Sequence, residues 1–311
     1  MTLTLLPNWL PIIYLAVHTL FVLLSSFTLS KKVRIAIINL VVATGFLALV
    51  HWAPLFLERA VPGVVFICLW SPIIFFWAGY LWAGQTLTAI HPSGTTYDRQ
   101  IIAIEKWLFR QPSLWMSKSR SRWLTETMHF FYASYYAYTP ILGIYLYDQK
   151  RFLEFEAMSF AVLFGYLVSY SFFAITPVLG PRWSLVEADL LSTSEQRLDG
   201  YWITGLMNKV MYQGLAHKGG AMPSSHSSTA LVFLVWGWKI WGFEGALLTG
   251  ILVVGMWSGS VYGRYHFLTD VVIGAAIGLA GIFLADMLIL KGDVANLVMS
   301  TPSEYLTLVE S

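Results

Sequence analysis

Long apolar runs alternate with two polar stretches along this chain, and the runs have the length a bilayer demands. About 20 mostly apolar residues span the hydrocarbon core as a helix. Eight segments qualify: Trp9 to Leu29, Ile35 to Leu57, Val61 to Trp82, Thr125 to Tyr147, Leu153 to Thr176, His226 to Trp241, Gly245 to Tyr262 and Phe267 to Leu290. The third contains Pro72 and the sixth is short. The pattern predicts an all-α fold, a polytopic transmembrane helical bundle of about eight spans with a core bundle made by the last five. The expected organisation is N-terminal transmembrane helices over 1–84, a membrane catalytic domain over 85–290, and a disordered tail over 291–311.

The polar stretches, Ala83 to Leu124 and Pro177 to Ser225, have structure of their own. From Tyr97 to Arg110 the pattern predicts an amphipathic interfacial helix with Ile101, Ile104 and Leu108 on one face. From Trp202 to Leu215, Ile203, Leu206, Met207 and Val210 recur at helical spacing. Either helix can be a plain seal on the bundle or a rim where lipid is admitted.

Composition agrees with a membrane protein. Hydrophobic residues make up 57% and charged residues only 12%, against about 25% charged in soluble domains. A net charge of +2 argues against nucleic acid as a partner. Cys68 is the only cysteine, so no internal disulfide is possible. The first apolar run has no Lys or Arg before it and no small-residue cleavage site after it, so it reads as a retained helix. An integral membrane protein is expected, with a bacterial inner membrane as its place.

Eight spans put both polar stretches, the His226 end and the His266 end on one side of the bilayer. Around Ala221–Asp270 the polar residues gather. His266 and Asp270 lie four apart at a helix start and share a face. A carboxylate there can accept from one ring nitrogen and leave the other free as a nucleophile. Arg264, two residues earlier, would project in extended backbone to the same side as His266 and clamp phosphate oxygens. Pro223-Ser224-Ser225-His226 opens a helix whose free N–H groups suit an anion, and a first-turn His can protonate a leaving oxygen. Gly180-Pro181-Arg182 offers a further cation, and Lys218 another. Each feature has a plainer reading: an ordinary N-cap, a helix cap, a snorkelling arginine. Together they point to phosphoryl transfer on a lipid. No zinc spacing, acidic magnesium cluster or glycine-rich nucleotide loop is present, so no cofactor and no metal is expected.

Pro223-Ser224-Ser225-His226 and Arg264-x-His266-x-x-x-Asp270 resemble the second and third signature motifs of the type-2 phosphatidic acid phosphatase superfamily. Arg and His stand two apart here, where the phosphatases usually have six. This short form is similar to the branch containing inositol phosphorylceramide synthases, as are Tyr97–Phe109 and the Tyr132–Tyr136 cluster. The resemblance covers about Tyr97 to Leu290 and leaves the first three helices out. It implies that His266 attacks phosphorus and forms a phosphohistidine, Asp270 orients it, and His226 protonates the departing oxygen and then activates the acceptor. Arg264, Arg182, Ser224 and Ser225 would hold the phosphate. The family's first-motif lysine falls on Ile175, and Lys218 is taken as its substitute.

Three functions follow: a lipid phosphate phosphatase in which water resolves the phosphoenzyme, a lipid phosphotransferase in which an alcohol does, or a non-catalytic lipid-binding protein. Eight spans exclude a soluble haloperoxidase role. The partners expected are a phospholipid or other lipid phosphate and the surrounding membrane lipids. Sidedness stays open: 14 Lys and Arg fall on the side of the proposed site and five on the other, which by the positive-inside rule makes the site cytoplasmic, whereas the superfamily usually faces outward.

Overall fold

The computed structural model describes residues 3–57, 59, 61–90, 96–118, 121–212 and 217–291. The tail expected to be disordered therefore lies outside the described residues, apart from Lys291. Eleven α-helices and no strand occur among those described. They are α1 (Leu6–Leu24), α2 (Leu29–Leu57), α3 (Pro62–Ile90), α4 (Asp98–Phe109), α5 (Pro112–Trp115), α6 (Arg122–Asp148), α7 (Phe152–Ile175), α8 (Pro181–Glu187), α9 (Trp202–Tyr212), α10 (Ser225–Tyr262) and α11 (Leu268–Ala285).

Six of these are long and apolar enough to cross a membrane: α1, α2, α3, α7, α10, and α11 with its continuation to Leu290. α10 is two passes. At Gly242 the backbone turns through φ 63° and ψ −147°, a conformation open to glycine and little else. The two arms then fold together: a Cβ on Gly237 would lie 2.5 Å from Thr249 Oγ1, although twelve residues of straight helix would separate them by about 18 Å. This is the hairpin expected between Trp241 and Gly245. α6 has 27 residues, long enough to span, but it is less apolar than the others. Its polar side chains, among them Thr125, His129, Tyr132 and Tyr135, are buried, so their polarity is turned inward and not to lipid. With α6 and both arms of α10 the passes number eight.

The third helix runs beyond Trp82 to Ile90. Ala83 and Leu87, four apart, are both buried, so the stretch that reads as polar still has one apolar stripe to bury.

α7 is the central post. It is buried along most of its length and packs against α1, α3, α10 and α11. α1, α2 and α3 are joined by a closed polar network. The Asn39 amide donates to Thr19 Oγ1 at 2.8 Å and to His18 Nδ1 at 2.9 Å, while its Oδ1 accepts from Trp82 Nε1 at 2.8 Å. The remaining His18 nitrogen lies 3.0 Å from the Trp82 carbonyl. Polar groups inside a bilayer are costly unless satisfied internally, so the network fixes the register of the three helices.

α10 and α11 touch through small residues. A Cβ on Gly274 would meet the Ser224 carbonyl at 2.1 Å, and one on Gly278 the Ser228 carbonyl at 2.7 Å. This small-xxx-small stripe lets two backbones meet. It sets the Ser224–His226 segment directly beside the start of α11.

Candidate active site

The loop before α8 and the loop before α10 run together in a short parallel pairing. Val178 N–H donates to the Gly219 carbonyl and Ala221 N–H to the Val178 carbonyl, each at 3.0 Å. The Ala221 carbonyl then accepts from His266 Nδ1 at 2.8 Å. One chain of hydrogen bonds thus links three sequence segments that are far apart in order.

His266 and His226 face each other with ring centroids 5.4 Å apart. Because Nδ1 of His266 carries its proton to a carbonyl, Nε2 holds the lone pair in the neutral ring. Asp270 Oδ2 stands 3.6 Å from the same Nδ1, and it accepts a closer bond, 2.8 Å, from Phe267 N–H. The backbone carbonyl is therefore the nearer orienting group, and the carboxylate caps α11 while backing the ring with negative charge. Asp270 is fully buried, and its Oδ1 has no hydrogen-bond partner among the described residues. His226 packs edge-on against Tyr135 at 4.3 Å and also contacts Tyr132, and its Nδ1 has no hydrogen-bond partner among the described residues.

Arg264 differs from the extended geometry expected. Its φ is 60°, the left-handed position that ends α10 and that glycine usually fills. This turns the guanidinium toward Ser117, whose Oγ accepts from Nε at 3.1 Å and from Nη2 at 2.7 Å. Nη1 donates to the Glu195 carbonyl. The fork has five N–H donors, so one on each terminal nitrogen is left over among the described residues. Burial lowers the Arg264 pKa from its ordinary value, with Glu195 opposing, yet an arginine stays charged.

Arg182 is buried at the start of α8. Its backbone N–H donates to the Arg264 carbonyl at 3.0 Å, its guanidinium donates to the Gly263 carbonyl at 3.1 Å, and it lies 4.2 Å over the Tyr265 ring. Burial pushes the Tyr265 phenol up to about 12, against the pull of that arginine. Ser225 borders the same cavity as both histidines and both arginines. Ser224 is buried and caps α10 by accepting from Ser227 N–H at 3.3 Å, and its own N–H donates to the Asp270 carbonyl at 3.1 Å. Lys218 is the outlier. It is exposed, with Nζ 4.4 Å over the Trp183 ring at the cavity edge.

Two carboxylates that sequence reasoning passed over brace this assembly. α4 is the helix expected to carry Ile101, Ile104 and Leu108 on one face; within the protein it buries Asp98, Ile101 and Glu105, and Ile104 and Leu108 are exposed. Asp98 accepts from Leu179 and Gly180 N–H at 2.9 and 3.2 Å, which holds the segment leading to Arg182. Glu105 accepts from Leu268 and Thr269 N–H at 2.8 and 3.0 Å and from the Thr269 hydroxyl, which caps α11 next to His266. Their seven-residue spacing, two turns of helix, was the available signal. α9 is capped the same way by Glu126, which accepts from Tyr201, Ile203 and Thr204 N–H. Ser117 was also missed.

The histidines and arginines open on a cavity of about 320 Å³ lined mainly by aromatic side chains. Residues 99–284 match the PAP2 superfamily. The chain belongs to the PAP2 superfamily. The matched segment runs from α4 to the end of α11, close to the span of the resemblance read from the motifs. No curated protein and no solved structure matches the chain. As a PAP2 superfamily protein with helices of membrane-crossing length, it is an integral membrane protein of the phosphatase and phosphotransferase type.

Proposed function

We propose that this PAP2 protein is a lipid phosphate phosphatase that works through a phosphohistidine on His266. His266 Nε2 attacks phosphorus and the P–O bond to the lipid alcohol breaks. Protonated His226 gives its proton to the departing oxygen. His226 then takes a proton from water, the water oxygen attacks phosphorus, the P–N bond breaks, and inorganic phosphate leaves. Arg182, Arg264 and Ser225 face the phosphate from around the cavity, with Ser224 closing the helix N-terminus behind them and Lys218 at the rim. Asp270 and the Ala221 carbonyl keep Nδ1 protonated. On this reading residues 85–290 form the catalytic unit, which begins within the last turns of α3, with α1, α2 and the rest of α3 before it.

The observation that carries this reading is the His226–His266 pair, 5.4 Å apart, with the His266 proton fixed on the nitrogen away from attack. No metal is needed, because the charge on phosphate is met by arginines and helix dipoles.

A second reading, transfer to an alcohol, is favoured by one feature. Arg264 also borders a second cavity of about 500 Å³, where Ser117, Ser194, Glu195 and Asp199 stand among Leu114, Leu190, Leu191 and Leu198. Such a space suits a polyhydroxylated headgroup or acceptor. The two readings part in one assay. Purified protein is given labelled phosphatidic acid or phosphatidylinositol, with and without ceramide or diacylglycerol. Phosphate released from phosphatidic acid without an acceptor supports the phosphatase. Label that moves only to an added lipid alcohol supports the transferase. If His266→Ala leaves turnover intact, both fail.

A further inference from the structure

α4 is a helix with three faces. Asp98, Ile101 and Glu105 are turned into the protein. Their two carboxylates fix the roll of the helix, because Asp98 accepts from Leu179 and Gly180 N–H and Glu105 from Leu268 and Thr269 N–H. At 3.6 residues per turn, Ile104 and Leu108, four apart, then lie on one outer flank. Arg99 and Lys106, seven apart, lie on the other, with Trp107 between. All five are exposed. Arg110, exposed as well, closes the helix as its C-cap.

The partners of the two acids place α4 at the edge of the bilayer. Leu268 and Thr269 begin α11, a spanning helix, and Leu179 follows the end of α7, another. Exposed tryptophans mark the same level. Trp107 is 81% exposed, and Trp115 in α5, Trp123 at the start of α6 and Trp202 at the start of α9 are exposed too. Indoles gather at the headgroup level of a bilayer. The charge on the outer surface of α4 is one-sided. Asp98 and Glu105 are its only acids and both are buried, and none of Arg99, Lys106 and Arg110 has a carboxylate partner among the described residues. Since α4 lies on the bilayer, the nearest anions to these cations are lipid headgroups.

We infer that the outer face of α4 is a binding strip for anionic lipid, with Arg99, Lys106 and Arg110 on the headgroups and Ile104, Trp107 and Leu108 on the acyl side. None of these six lines the cavity at the histidines, so the strip is separate from the catalytic centre. A basic flank beside an apolar one holds a helix in the plane of a negatively charged surface. The strip raises the concentration of anionic lipid beside the site, a lipid phosphate substrate included. Lipid thereby holds α4 on its outer side while the two acids hold it on the inner side. The inference goes beyond the phosphatase reading and does not need it. Phosphatidylglycerol carries no phosphate monoester, so it is a probe which that reaction does not consume.

Native mass spectrometry of the full chain in detergent, titrated with phosphatidylglycerol or phosphatidylcholine, reads the binding directly. Phosphatidylglycerol is expected to bind about tenfold more tightly, by a margin that shrinks as ionic strength rises. Arg99→Gln, Lys106→Gln and Arg110→Gln together should remove most of that margin. Lys31→Gln, Lys32→Gln and Arg34→Gln take the same charge from the start of α2, where Lys31 already lies over the Phe27 ring and Lys32 donates to the Leu23 carbonyl. That variant should keep the margin. No preference for phosphatidylglycerol, or an equal loss in the two triple variants, overturns the inference. If the α4 triple variant does not fold, the single charge reversal Lys106→Glu gives the same reading with a smaller loss. In phosphatidylcholine vesicles carrying dilute phosphatidic acid, the α4 variant should raise the apparent KM severalfold at unchanged kcat, and an unchanged KM overturns the concentrating role. Failure of the phosphatase reading shows separately, as no phosphate release in any variant with the binding margin intact.

Discussion

Two of the histidine-centred polar clusters inside this bundle are finished differently. In the first, His18, Asn39, Thr19 and Trp82 meet one another's donors and acceptors at 2.8 to 3.0 Å. In the second, His266 has one nitrogen fixed by a carbonyl, His226 Nδ1 and Asp270 Oδ1 have no partner among the described residues, and a cavity adjoins both rings. A satisfied cluster in a membrane holds helices in place. An unsatisfied one beside a cavity keeps free the lone pairs and protons that a reaction uses. The same residue type therefore has two roles here, decided by what its second nitrogen meets.

The contrast is broken most severely at the nucleophile. His266→Ala should reduce phosphate release from phosphatidic acid by at least ~10³-fold with the protein still folded, as judged by size-exclusion of the detergent-solubilised protein. His226→Gln removes the proton carrier but not the nucleophile, so a loss of about 10²- to 10⁴-fold is expected, with a phosphoenzyme that still forms from a substrate having a good leaving group. That last readout distinguishes it from a merely structural change.

Glu105→Gln tests the brace. It replaces charge-assisted bonds at the α11 N-terminus by neutral ones, a cost of about 1–2 kcal/mol. A lower melting temperature should accompany a smaller loss of turnover than either histidine gives, since His266 sits just ahead of that helix. Asn39→Leu should do the reverse of the histidine changes. It orphans the indole N–H of Trp82 and one nitrogen of His18, each costing about 1–3 kcal/mol. Melting temperature should fall clearly, while turnover per folded molecule falls least of the four. If Asn39→Leu instead silences the enzyme without lowering its melting temperature, the first cluster is not merely structural.

The eight passes were legible because lipid imposes one simple demand, length and apolarity, on every span. The α10 hairpin was legible for the same reason, and Gly242 is where the structure turns it. His226, His266, Arg182 and Ser225 could be placed together because an even number of passes returns the chain to one side. What was hidden lies in backbone groups and in acids. Nothing in the type of residue 221 announces that its carbonyl will hold His266. Asp98 and Glu105 look like the solvated face of an interfacial helix, and only the fold reveals that the acids point inward to cap other segments while Ile104 and Leu108 point out. Arg264 was read in extended backbone. Its left-handed φ, which redirects the guanidinium to Ser117, follows from the way α10 ends against α5 and the segment after it.

The central claim is that His266, and not His226, carries the phosphoryl group. Purified protein mixed with phosphatidic acid labelled in its phosphate, quenched within milliseconds in alkali and mapped by peptide sequencing, tests it directly. The account predicts an acid-labile, alkali-stable label on the peptide containing His266, absent in His266→Ala and longer-lived in His226→Gln. Label on His226, or steady turnover in His266→Ala, would contradict it.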